Sequence, residues 1–124
     1  MEKKKIESFE DLYVWIKGIE LVTQVYLLTQ DDKFSQDFGF CDQIRRASVS
    51  IPTNIAVGFE RYSRKEYLHF LKIAKGSTGE VRSLLKIALE VGYIEQSKYE
   101  ELYNAAVKLS RMLAIQIHAI NKSL

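Results

Sequence analysis

Residues 63–91 read SRKEYLHFLKIAKGSTGEVRSLLKIALEV, and the spacing of their apolar side chains decides the fold class. Tyr67, Leu71, Ala74, Thr78, Val81, Leu85 and Ala88 recur three or four residues apart, the interval that stacks side chains along one face of an α-helix. Ser63 and Glu66 stand in the S-x-x-E pattern of a capping box, which marks the start. Gly92 follows the run where a left-handed residue ends a helix. The stretch therefore predicts one long amphipathic helix over about residues 64–91.

Working outward, the same period recurs three more times. Leu12, Trp15, Ile19, Val22 and Tyr26 form a stripe within residues 9–28, with Ser8 and Asp11 as its cap. Phe40, Ile44, Ala47, Ile51, Ile55 and Phe59 form another within residues 37–61. This second helix contains the only proline, Pro52, which deletes the amide that would bond the Ser48 carbonyl. One helix kinked at Pro52 is expected, with Ser48, Ser50 and Asn54 at hand for replacement hydrogen bonds. Leu102, Ala106, Leu109, Leu113, Ile117 and Ile120 give the last stripe, within residues 97–121, where Ser97 and Glu100 repeat the capping-box pattern. Thr29 to Ser35 reads as a loop. Four such helices predict an all-α, antiparallel up-down-up-down four-helix bundle.

The chain of 124 residues fits one domain, 1–124. No apolar run is long enough to span a membrane, and Glu7, Glu10 and Asp11 follow the basic start Met1 to Lys5 where a signal peptide needs an apolar core. A cytoplasmic protein is expected. Cys41 is the only cysteine, which excludes an internal disulfide, and no His, Cys or carboxylate cluster has metal-ligand spacing. No cofactor or metal is expected.

Charge is unevenly divided. Residues 43–88 hold nine basic and three acidic groups, against five and nine in residues 1–42 and four and four in residues 89–124. At 100° per residue, Lys65, Lys72, Lys75, Arg82 and Lys86 share an arc of about 100° on the third helix, away from its core stripe. Arg45, Arg46, Arg61 and Arg64 lie in or beside the neighbouring helix. These nine residues form the candidate surface for an anionic partner, RNA or DNA, bound through its phosphates. Tyr62 and Tyr67 stand beside them as possible base-stacking groups, although Tyr67 also holds a core position.

Ile73, Leu84, Ile87 and Val91 widen the apolar face of the third helix beyond what one core uses, the pattern of a homo-oligomer interface. Gly76-Ser-Thr-Gly79 costs helical stability at each glycine and leaves a groove of small side chains suited to close helix approach. It is no phosphate loop, because neither the G-x-x-x-x-G-K-[ST] pattern nor a preceding strand is present.

The run Gln43-Ile-Arg-Arg-Ala-Ser-Val-Ser-Ile-Pro-Thr-Asn-Ile-Ala-Val-Gly58, with Arg61 just after it, resembles the signature of the four-helix bundle proteins encoded in intervening sequences of bacterial 23S ribosomal RNA genes. Phe9, Asp11, Leu12 and Trp15 are similar to that family's opening motif, and Ala74-Lys-Gly-Ser77 with Glu80 to its third-helix motif. Val57 departs from it, standing where the family usually has glutamate. The resemblance implies a bundle assembled as a pentamer, kinship with nucleic-acid-binding accessory proteins of diversity-generating retroelements, and hence a reverse transcriptase or another protein as a further partner. It implies no catalytic activity.

Two rival functions remain in the residues. One is a structural oligomer that scaffolds a protein partner. The other is a HEPN-like endoribonuclease, for which Arg64 with His69 and Arg111 with His118 have the R-x4-6-H spacing. Both histidines sit in helical patterns that need no catalysis, so the leading expectation is a non-enzymatic, nucleic-acid-binding oligomer.

Overall fold

A computed structural model describes residues 5–124; of the basic start, Met1 to Lys4 lie outside the described residues. A 3-10 turn, Phe9–Asp11, precedes α1 (Tyr13–Leu28), α2 (Asp32–Ser35), α3 (Phe38–Glu60), α4 (Arg64–Glu90) and α5 (Gln96–Lys122). No strand occurs among the described residues, and none of their helices is long and apolar enough to cross a membrane.

The four long helices enclose one core. α3 packs on α1 and α4, α4 on α5, and α5 on α1, which gives the cyclic order α1, α3, α4, α5. Paired contacts show the directions: Gly18 faces Pro52 while Tyr26 lies beneath Arg45, Gly58 faces Phe70 while Ser50 meets Ser77, and Arg64 reaches Ser123 while Lys86 reaches Tyr99. In each pair chain positions rise on one helix as they fall on the other, so these neighbours are antiparallel. Ile44, Ile51, Ile55, Leu71, Val81, Leu85, Leu102, Leu109 and Leu113 fill the centre. At about 25 cal/mol per Å² of apolar surface removed from water, that burial is the main force holding the helices together.

Local chemistry sets the helix ends. Ser63 Oγ accepts from the Glu66 amide at the start of α4. At its end Gly92 takes φ +82°, letting the Tyr93 amide bond back to the Ala88 carbonyl at 2.8 Å. Asp37 Oδ1 accepts from the Phe40 amide and caps α3, while Asp37 Oδ2 accepts from the Tyr93 hydroxyl at 2.9 Å. One carboxylate thus fixes a helix start to the α4–α5 turn. Pro52 lies inside α3, which is a single helix on both sides of it. The ring fits because α1 presents Gly18: a Cβ there would stand 3.3 Å from the Pro52 Cβ.

Four expectations need correction. Residues 9–28 are not one helix, because Leu12 is extended and turns inward as a buried residue between the 3-10 turn and α1; the Asp11 carboxylate accepts from the Glu7 and Ser8 amides and holds that turn. The buried face of α1 is Val14, Gly18, Leu21, Val25 and Leu28, with Ile19 and Tyr26 exposed. Thr29 to Ser35 contains α2, anchored by the fully buried Phe34 against Phe40 and Tyr93. Finally, Ser97 does not cap the last helix: buried Ile94 draws the chain in so that Glu95 becomes the extended cap residue, and the Glu100 carboxylate accepts from Gln96 instead.

Candidate nucleic-acid interface

The nine predicted cations divide by what their neighbours already use. Arg45 is half-buried, donating from Nε to Thr29 Oγ1 at 2.8 Å and stacking 4.7 Å over the Tyr26 ring. Arg46 pairs with Asp42 at 2.9 Å. Arg61 pairs with Glu66 and lies over Phe70, and Arg64 donates to the Ser123 hydroxyl. Lys86 pairs with Glu90, whose hydrogen bond and charge raise the ammonium pKa, and sits over the Tyr99 ring. Arg82 does not point outward as expected: it is half-buried between α4 and α5, its guanidinium over the Tyr103 ring and donating to the Tyr103 hydroxyl, with Nε buried and unpartnered.

Lys65, Lys72 and Lys75 are different. All three are exposed on α4 and make no ion pair among the described residues. At 1.5 Å per residue they extend over about 15 Å of helix, a row of ammonium groups with no carboxylate partner among the described residues. Ammonium groups that need break no ion pair can take phosphates and so release the counterions condensed on a nucleic acid.

The apolar strip of α4 also needs one correction. Leu84 is 4% exposed and belongs to the chain's own core, whereas Ile73, Ile87 and Val91 are 38%, 44% and 55% exposed. Beside this strip, on its lysine side, Gly76 and Gly79 have nothing within 4 Å of where a Cβ would stand, so these two glycines make no close helix approach among the described residues. Periodicity also missed a second apolar strip. Ile16, Ile19 and Leu27 are exposed on α1, and in the cyclic order α1 is diagonal to α4, so the two strips lie on opposite sides of the bundle.

The remaining candidates sort readily. Tyr67 is a core group: its hydroxyl accepts from Gln116 Nε2 at 3.0 Å, its ring meets Phe59 edge-on, and burial pushes its pKa up to about 12 despite that hydrogen bond. Tyr62, in the three-residue link between α3 and α4, is 87% exposed with φ +54°. His69 and His118 are exposed, the former with its ring against Phe70. Cys41 is buried, donating to the Phe34 carbonyl at 3.0 Å, and desolvation raises its pKa. No group of three or more His, Cys, Asp or Glu is placed to hold a metal among the described residues.

The signature run has a structural use. Ser50 on α3 and Ser77 on α4 share a hydrogen bond of 2.8 Å, and Asn54 Nδ2 donates both to the Ser50 hydroxyl and to its carbonyl. The polar residues of two motifs thereby satisfy one another inside the α3–α4 contact, where an unpaired hydroxyl would be costly.

Comparison with known proteins agrees with these motifs. No curated protein matches the chain. A crystal structure from Bacteroides thetaiotaomicron VPI-5482, described as a protein of unknown function from the S23 ribosomal protein family, is similar in fold: the TM-score is 0.77 and the identity 24%, over 84% of this chain and 97% of that one. A family model described as "23S rRNA-intervening sequence protein" matches residues 10–115, and the chain belongs to that family.

Proposed function

We propose that the chain is a non-enzymatic subunit of a homo-oligomeric ring that binds RNA or DNA through phosphates. The observation that carries this reading is the row of exposed lysines, Lys65, Lys72 and Lys75, unpaired among the described residues, on the same helix as an apolar strip that stays exposed among them. Two different strips on opposite sides of one subunit suit a heterologous contact, the α1 face of one copy on the α4 face of the next. Heterologous contacts that close give rings, and five is the number the family resemblance implies. The small groove at Gly76 and Gly79 gives an incoming helix room for close approach. Repetition around a ring multiplies three lysines into a closely spaced cation array, which raises affinity without any base-specific contact.

The absence of catalysis is part of the proposal. Arg64, half of the first R-x4-6-H pair, is engaged with Ser123, and the core stripes account for both histidine-bearing helices.

The test is a joint measurement of mass and binding. The parent should be larger than a dimer by light scattering and should bind a labelled oligonucleotide at about 50 mM salt. Reversing Lys65, Lys72 and Lys75 to glutamate should abolish binding with little change in melting temperature, and single reversals should lower the magnitude of the salt slope by roughly 0.7 to 0.9 per lost phosphate contact. A matched reversal of Lys108, Arg111 and Lys122 on α5 is the control. Equal loss in the control, or no binding by the parent, overturns the nucleic-acid reading and leaves a scaffold for a protein partner. A monomer at micromolar concentration overturns the ring.

A further inference from the structure

We infer that Tyr62 is a base-stacking residue, and that the α4 lysine row therefore selects single-stranded over duplex nucleic acid; this rests on the phosphate-binding reading of that row. The starting observation is a residue at odds with its place. Tyr62 occupies the left-handed region at φ +54°, where Cβ crowds the backbone and glycine or asparagine is the favoured residue. A bulky aromatic there costs of order 1 kcal/mol. Packing returns little for it: the residue is 87% exposed, and although its amide donates to the Phe59 carbonyl, its phenol takes part in none of the side-chain hydrogen bonds or ring contacts among the described residues. Tyr67, five residues on, has the opposite character: its ring and hydroxyl are both used by the core.

The surroundings specify the ligand. Tyr62 immediately precedes the cap of α4, and Lys65 opens the unpaired row that continues to Lys72 and Lys75. Lys65 stands three residues after Tyr62, in the first turn of α4, and from there the row runs roughly 15 Å along the helix. A flexible single strand can lay its phosphates along the lysines while one unstacked base turns onto the phenol ring. Duplex bases are already stacked and present only edges, so a protruding ring at this position gains nothing from them. The aromatic group and the cations together fit a single strand better than either alone.

The experiment uses the full-length chain and three fluorescent 12-nucleotide probes: a single strand, the corresponding duplex, and an abasic strand that keeps the phosphates without bases. The parent is expected to bind the single strand about fivefold or more tightly than the abasic strand, the lower end of the range for one base–aromatic stack. Tyr62→Ala and Tyr62→Gly should erase that preference while leaving abasic binding unchanged, and Tyr62→Phe should keep it. Tyr62→Gly should also melt no lower than the parent, since glycine relieves the left-handed strain. RNA and DNA forms of the single strand reveal which source of unpaired bases is preferred.

If the lysine reversals weaken binding but the Tyr62 variants match the parent on all three probes, this inference alone fails. If Tyr62→Ala instead lowers the mass of the assembly, the ring is a subunit contact and the inference is overturned. If the parent binds none of the probes, it falls together with the phosphate-binding reading.

Discussion

Tyr67 is the side chain whose chemistry the fold changes most measurably. Burial favours the neutral phenol, so its folded pKa of about 12 stands above the ordinary value near 10. A raised pKa means that the folded chain holds the proton more tightly than the unfolded one. The stabilisation is complete below about pH 10 and is lost as pH rises from there through 12. Tyr93 acts with the same sign, its hydroxyl proton held by the hydrogen bond to Asp37. Melting temperature should therefore decline across pH 10 to 11.5, and Tyr67→Phe, which carries no such proton, should decline less steeply over that interval. Tyr67's place in a helical stripe made its core role legible in the sequence. Arg82 was not legible in the same way: its angular position put it on the lysine arc, but Tyr103 on α5 captures it, and no spacing within α4 reveals a partner on another helix.

The elements show why some spacing arguments succeed and one slips. α3, α4 and α5 each carry polar residues over a wide arc, so only one face can be buried, and the expected stripes lie on it: all of their residues are buried except Phe40, Phe59, Tyr67 and Ile117, which pack partly buried against the core. α1 is apolar on two faces, and counting from Leu12 selected the wrong one. The correct face needs Gly18, whose missing side chain signals nothing until Pro52 is known to lie against it. α2 is four residues long, too short for any period to register. On α4, Gly76 and Gly79 keep a helix face bare at a cost of roughly 0.5 to 1 kcal/mol each relative to alanine. Gly76→Ala and Gly79→Ala should accordingly raise the stability of dissociated chains toward urea, since an added methyl meets nothing. In the proposed ring the same methyl meets the neighbouring copy. Stability of the dissociated chain and tightness of assembly should then move in opposite directions, a divergence that denaturation combined with analytical centrifugation detects.

At the scale of the whole molecule, the placement of two unlike apolar strips makes a sharper forecast than oligomerisation alone. Ile19→Asp spoils the α1 face and Ile87→Asp the α4 face, and each variant alone should be monomeric. Mixed, they retain one intact face of each kind, so a single heterologous contact can form and cannot propagate. A one-to-one heterodimer is expected by native mass spectrometry; a symmetric interface that uses one strip twice would instead leave the variant whose strip is intact as a homodimer, alone and in the mixture, with no heterodimer. The bundle was readable from periodicity, caps and the signature run, but the unpaired lysines were not, because ion pairing depends on which helices become neighbours. The cyclic order α1, α3, α4, α5 also has a kinetic side. Three of its four walls join long helices that succeed one another in the chain, and two of those are closed by links of only a few residues. Loop-closure entropy therefore falls chiefly on the α1–α5 wall, the one contact between distant segments. Folding should be fast, in the microsecond-to-millisecond range of helical proteins with local contacts. The seam between α1 and α5 should be the last to close and the first to exchange its amide hydrogens.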